Sequence, residues 1–312
     1  MKNDIRTKLL KEGKIIPISF NYHFVRIFGD ESNMDIIEYF ISDYYKLPIN
    51  EVVGNIKILS RDLKQDSKNE KSKQVDLLLK LKNKKINIEI SNTSSIGRKE
   101  RDLVYLSKIH GQQLKYKQKY SSIGYSWQIR LNDTPCNKGK VRKIYYLKSD
   151  DDIYSYKFRI DNIDLEAAEK IVYNEDDEKL IRWCRILHAS TRDEIVHELG
   201  DGLMDKKSRE KLLEEVERNS RDEELYDIHE MYSTEKMERD AELEEALEAK
   251  TKEVTEKVTD EVTKKVTSDV TKKVKKQSQI DMAKKMLNKG MEVDDISDIT
   301  GLSTDQIEEI SF

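Results

Sequence analysis

Asp76 and Glu89 stand inside the apolar, alternating stretch Val75–Ser91, VDLLLKLKNKKINIEIS. Carboxylates set on strands are held rigidly, and two on one face can share a divalent cation. The main-chain carbonyl of Ile90 offers a third hard oxygen. Oxygen donors without histidine or cysteine suit Mg²⁺ or Mn²⁺ rather than zinc. The same residues also read as an ordinary antiparallel ribbon with one solvated face, which needs no ligand.

A β-hairpin has to position these groups. Val75, Leu77, Leu79 and Leu81 alternate before the polar KNKK turn, and Ile86, Ile88 and Ile90 alternate after it. With the turn centred on Asn83 and Lys84, Leu81 faces Ile86, Leu79 faces Ile88 and Leu77 faces Ile90. Asp76 then lies opposite Ser91 and Leu78 opposite Glu89, which makes the two carboxylates diagonal neighbours roughly 7–8 Å apart. Lys80 shares that face, diagonal to Glu89. The apolar face requires a cover, expected to be helical.

The flanking chain supplies candidates for that cover. Phe20, Phe24, Ile27 and Phe28, then Ile36, Ile37, Phe40, Ile41 and Tyr44, repeat with helical spacing on either side of GDESN. Residues 55–60 read as a strand. A helix is expected from Gly97 to Tyr120, with Leu103, Leu106, Ile109 and His110 toward the sheet. Arg101, Tyr105, Lys108 and Gln112 form another stripe, suited to phosphate contact or equally to solvent. Strands over 125–131 and 142–148 complete an αβββαββ order, an α/β class with a mixed sheet flanked by helices.

After residue 150 the texture becomes helical. Ile171, Leu180, Trp183 and Leu187 are expected core residues within 165–188, and 192–250 is acidic and helix-forming. The reading divides the chain into a domain over 1–190, an acidic helical extension over 191–250, a spacer over 251–277 and a small helical module over 278–312. In the spacer, Val254, Val258, Val262, Val266, Val270 and Val274 recur every fourth residue. Each such step overshoots a helical turn by about 40°, so the valines spiral instead of forming a heptad seam. A loosely helical or self-associating linker is expected, hence a homo-oligomer through this region. The final module has a helix–Gly–helix pattern like a DNA-reading motif. From Gly290 to Phe312, however, it carries seven acidic residues and no Lys or Arg, which favours a protein-contact or autoinhibitory role.

The 312-residue chain is electrically lopsided. Residues 1–150 hold 30 Lys/Arg against 17 Asp/Glu, and the remainder 27 against 44. A basic half containing the carboxylate hairpin suits a polyanion such as DNA, with a solubilising lysine-rich surface as the alternative. No apolar run is long enough to span a bilayer, and the first residues lack the apolar core of a signal peptide. Cys136 and Cys184 show no metal or redox spacing. A cytoplasmic protein without membrane partners is expected.

FVRIFGDESNMDIIEYF, VDLLLK…INIEIS, ERDLVYLSKIHGQQL and AKKMLNKGMEVDDISDITGLSTDQIEEI together resemble the recombination-promoting nuclease family, also described as PD-(D/E)XK nuclease family transposases. The resemblance spans nearly the whole chain in order. It implies a restriction-endonuclease-like fold, Mg²⁺-dependent hydrolysis of DNA phosphodiesters, and Asp76 and Glu89 as metal-binding catalytic residues. Ser91 falls where the family has Gln, or more widely Lys. Asn21, Phe24 and Val25 stand where it often has Asp-x-x-Phe-Lys. Ser91 would position water or substrate, and Arg101 would lie near phosphates. Lys80, Lys108 and Gln113 are candidates to replace the missing lysine. The expected function is a metal-dependent DNA endonuclease linked to recombination or defence; the alternative is a catalytically weakened DNA-binding or assembly protein of the same fold.

Overall fold

The computed structural model describes residues 11–63, 73–92, 97–172 and 177–310. The two aromatic-rich segments form helices α1 (Asn21–Phe28) and α2 (Met34–Tyr44), separated where the Asp30 carboxylate accepts the Ser32 N–H. A short α3 (Ile49–Val52) follows Pro48. Next come β1 (Ile56–Leu59), β2 (Asp62–Leu63), β3 (Lys73–Gln74), β4 (Leu77–Leu81) and β5 (Lys84–Ser91). Helix α4 (Arg98–Gly111) leads to β6 (Tyr125–Asn132), β7 (Arg142–Lys148) and β8 (Ile153–Asp164).

Six of these strands make one sheet in the order β1-β4-β5-β6-β8-β7, while β2 and β3 pair separately. The β5–β6 and β6–β8 pairs are parallel and the others antiparallel, so the sheet is mixed as expected. Strand β8 was not anticipated, because its polar sequence SYKFRIDNID masks the alternation. One face, with Leu77, Leu79, Ile86, Ile88 and Ile129, packs into the main core with Phe24, Phe28, Phe40 and Trp183. That core includes residues of α6 (Glu178–His188), α7 (Arg192–Leu199) and α8 (Lys206–Arg221), which follow α5 (Leu165–Lys170). Leu180, Trp183 and Leu187 are buried as expected, whereas Ile171 is only half-buried.

The hairpin register differs from the expectation by two residues. The loop is Lys82–Asn83, with Leu81 opposite Lys84, Leu79 opposite Ile86 and Leu77 opposite Ile88. The Tyr125 N–H takes the Asn83 carbonyl at 2.9 Å and pins the turn to the start of β6. Two-residue connections are also the commonest in hairpins. A shift of two keeps every side chain on its face, so the apolar face stands and only the pairs change.

Helix α4 ends nine residues before the expected Tyr120, at Gly111. Its inward stripe is Asp102, Leu106 and Ile109, while Leu103 is 50% exposed. Apolarity points Leu103 inward, yet the sheet face beneath this helix is polar and takes Asp102 instead.

The chain divides into two compact units, Met1–Lys236 and Met237–Phe312. Helix α9 (Glu223–Leu287) contributes to both. In the first unit its Leu225 is buried with Ile16 and Phe20. The valine repeat is helical, with each valine 50–62% exposed. In the second unit the end of α9 packs through Ala283 on α10 (Val293–Thr300) and α11 (Thr304–Ile310), with Ile296, Leu302 and Ile307 buried. Gly301, at φ 71°, closes α10 in the left-handed conformation. Among the described residues no helix is long and apolar enough to cross a membrane.

Candidate active site

Parallel pairing of β5 with β6 aligns Asn87 with Gln128, Glu89 with Arg130 and Ser91 with Asn132. Continued one step past Leu77–Ile88, the β4–β5 register puts Asp76 directly across from Glu89. Asp76 itself lies at a bend just before β4, and its charge acts on Glu89. Both are buried, Asp76 at 6% and Glu89 at 1% exposure.

Each carboxylate is held from two sides. Asp76 accepts the Ile90 N–H at 2.8 Å and the Asn21 amide at 2.9 Å. Glu89 accepts Arg101 Nη2 at 3.1 Å and Asn87 Nδ2 at 3.2 Å. The Asp133 N–H bonds to the Ser91 carbonyl at 2.9 Å, so the Ser91 main chain turns to β6. Main-chain groups alternate along a strand, so those of Ile90 turn to the Asp76 side, as its N–H bond shows.

Beneath α4 the polar contacts continue. Asn87 donates to Gln128 Oε1 at 3.2 Å, Gln128 donates to Asp102 Oδ1 at 2.7 Å, and Arg130 forms an ion pair with Asp102. Arg130 Nε and Asn87 Oδ1 are buried beside Glu89 without a hydrogen-bond partner. Glu89, Ser91, Arg98, Arg101, Arg130 and Tyr232 line a cavity of about 200 Å³.

The electrostatics oppose two bare anions here. Burial, then the charge of Asp76, pushes Glu89 up to about 7. Burial likewise raises Asp76 and lowers Arg130 to about 10. Paired buried carboxylates with raised proton affinity suit a cation, which would relieve both desolvation and repulsion. The donors fit Mg²⁺ or Mn²⁺: Asp76, Glu89 and the Ile90 carbonyl are hard oxygens. Among the described residues no group of three His, Cys, Asp or Glu side chains gathers, so water would complete the shell, as Mg²⁺ favours.

Of the sequence candidates, Asp76, Glu89, Ile90, Ser91 and Arg101 come together. Lys80 instead pairs with Lys85, four residues along the strand from Asp76, about 13 Å at 3.3 Å per residue. Lys108 is half-buried on α4, about 10 Å along the axis from Arg101. Gln113 donates to Ser126 Oγ at 2.6 Å, at the start of β6 and away from the carboxylates. Arg98, Arg130, Asn87 and Asp102 join the site without a signal of their own in the sequence. Alternation of Ser126, Gln128, Arg130 and Asn132 marks a polar face; only the pairing of β6 with β5 shows which acid it meets.

Residues 19–248 match the model of the PD-(D/E)XK nuclease family transposases, and residues 276–311 match that of the Rpn/YhgA-like nuclease family C-terminal HTH domain. No curated protein and no solved structure matches the chain. The first match covers most of the sequence, including both site strands and α4, and the mixed sheet flanked by helices is consistent with a PD-(D/E)XK fold. The chain belongs to the PD-(D/E)XK nuclease family transposases and ends in an HTH domain of the Rpn/YhgA-like type.

Proposed function

We propose that the chain is a divalent-metal-dependent DNA endonuclease with its active centre at Asp76 and Glu89. The observation that carries this reading is the buried pair Asp76 and Glu89, with Glu89 lining a cavity shared with Arg98, Arg101 and Arg130. Asp76, Glu89 and the Ile90 carbonyl would hold Mg²⁺ or Mn²⁺. The cation supplies Lewis-acid stabilisation of phosphate charge and acidifies water. Three guanidiniums orient and neutralise the phosphodiester, since their planar donors match its oxygens. Ser91 positions water through its hydroxyl but brings no charge. Arg101, already on Glu89, and Arg130, across from it, bring the charge a lysine at position 91 would have supplied. Hydrolysis joins the water oxygen to phosphorus, breaks the bond to one ester oxygen, and leaves a proton on the departing hydroxyl.

The test is nicking of supercoiled plasmid in Mg²⁺, Mn²⁺ or EDTA. Wild type should nick only with metal, and Asp76→Ala and Glu89→Ala should each lose at least about a hundredfold, beyond the 10–100-fold of an outer-shell partner. Undiminished nicking by Asp76→Ala would sink the site.

A second reading, a DNA-binding or assembly protein with weakened catalysis, draws on the bonds that already hold both carboxylates and on Asn21 in place of an acid. It predicts salt-sensitive DNA binding and no metal-dependent nicking. The link to recombination or defence is inferred from the family resemblance alone.

A further inference from the structure

The start of β6 carries a second, differently built surface. Between α4 and β6 runs KYKQKYSS, in which Tyr116 is 91% and Tyr120 82% exposed among Lys115, Lys117 and Lys119. The Lys117 ammonium lies 5.4 Å from the centre of the Tyr116 ring, and the backbone beneath the two tyrosines is fixed. The Lys157 ammonium donates to the carbonyls of Ser121 at 3.5 Å and Ile123 at 2.8 Å. Gln113 is tied to Ser126, and Gly124 packs so closely on the Asn83 carbonyl that a Cβ would sit 2.0 Å from it. The neighbouring Tyr156 adds a third ring, 57% exposed.

Cations continue from this loop onto the sheet. Ser126 aligns with Lys85, Lys85 with Lys80, and Lys80 with Lys57 on adjacent strands. Like charges directly across strands repel. Among the described residues none of these three lysines has an acidic partner, and burial together with Lys80 lowers the proton affinity of Lys85. A row held against its own repulsion is complementary to phosphates.

We infer that this end of the sheet is a single-stranded DNA platform, in which Tyr116 and Tyr120 stack bases while the Lys57–Lys80–Lys85 row follows the phosphates. Stacking tolerates any sequence, and the interleaved cations hold the backbone, the combination that single-strand binders use. Duplex DNA keeps its bases stacked inside and offers the rings nothing. The row lies about 13 Å along the strands from the carboxylates, within the reach of one bound strand. The inference extends the nuclease reading by naming the form of substrate beside the cut, yet binding itself does not depend on cleavage.

The test is fluorescence anisotropy in EDTA with Glu89→Gln protein, so that a failure of the nuclease reading leaves it untouched. Probes are a labelled mixed-sequence DNA 20-mer, its duplex, and the RNA 20-mer of the same sequence. Tyr116→Ala should weaken single-strand binding about tenfold, and the double variant with Tyr120→Ala further, with the duplex changed less than twofold. Tyr116→Phe should restore binding and Tyr116→Leu should not. Lys80→Ala should flatten the dependence on salt for the single strand. Circular dichroism melts matching wild type would show that the surface variants fold. The inference is overturned by an affinity of the double tyrosine variant within twofold of wild type, by equal losses on duplex, or by tighter binding of the RNA.

Discussion

Burial and the charge of Asp76 lift Glu89 to about 7 from the ordinary 4.5, and that difference links stability to pH. The folded state binds this proton more tightly than the unfolded state does. The resulting stabilisation is complete below about pH 4.5 and is lost as pH rises through about 7. In EDTA the melting temperature should therefore fall by several degrees between pH 5 and pH 8, and Glu89→Gln should flatten that slope. Mg²⁺ should raise the melting temperature more at pH 8 than at pH 5, because the cation competes with the proton. An identical slope in Glu89→Gln would remove Glu89 as its source. Asn21 offers a second residue-scale test. Its amide donates to Asp76 at 2.9 Å, so Asn21→Asp replaces a donor with a third carboxylate. Metal-free protein should lose about 1–3 kcal/mol, and calorimetry should show cation binding tightened about tenfold or more. Unchanged affinity would place residue 21 outside the cation's reach.

At the scale of elements, the turn pinned by β6 sets the spacing of the site. Lys82 adopts φ 51° there, a conformation that costs a side-chain-bearing residue about 1–2 kcal/mol. Lys82→Gly gives up an exposed ion pair with Glu51 yet should be neutral to about 1 kcal/mol stabilising in urea melts. Gly124→Ala should destabilise by about 1–3 kcal/mol, as its methyl drives into the Asn83 carbonyl. These elements also show what the sequence conveyed. The alternating leucines and isoleucines identified the hairpin and its apolar face, and the aromatic spacing located α1 and α2. Register was not legible, since a shift of two residues leaves every alternation intact. Arg130 and Asp102 were not legible either, because each is recognisable only through the other: an isolated arginine on a strand and an aspartate on a helix both read as surface. Strand β8 escaped because most of its residues are exposed or half-buried, so no apolar alternation marks it.

At the scale of the molecule, charge distribution matters more than net charge. Residues 151–236, which include α5 to α8, hold 25 Asp/Glu against 14 Lys/Arg, whereas residues 1–150 carry the basic excess. Helices α6 to α8 share the core on the apolar face of the sheet, so much of the acidic half belongs to the layer opposite the carboxylate site. The remaining acidic group at issue is the end of the chain, where Glu292, Asp294, Asp295, Asp298, Asp305, Glu308 and Glu309 are all exposed. The HTH family match favours DNA for this module, while its charge repels phosphates and attracts a basic surface. Deleting residues 251–312 separates the two roles. A DNA-reading module predicts weaker duplex binding after deletion. A mask over the basic face predicts binding several-fold tighter near 50 mM salt, with the gain fading as the screening length shrinks toward 3 Å at 1 M. Tighter binding is the expected result, because the seven exposed carboxylates after Gly290, a stretch without Lys or Arg, outweigh what the module's fold offers to a phosphate backbone. Sedimentation of both forms adds the oligomeric state: if deletion changes neither mass nor affinity, the module acts on some other partner.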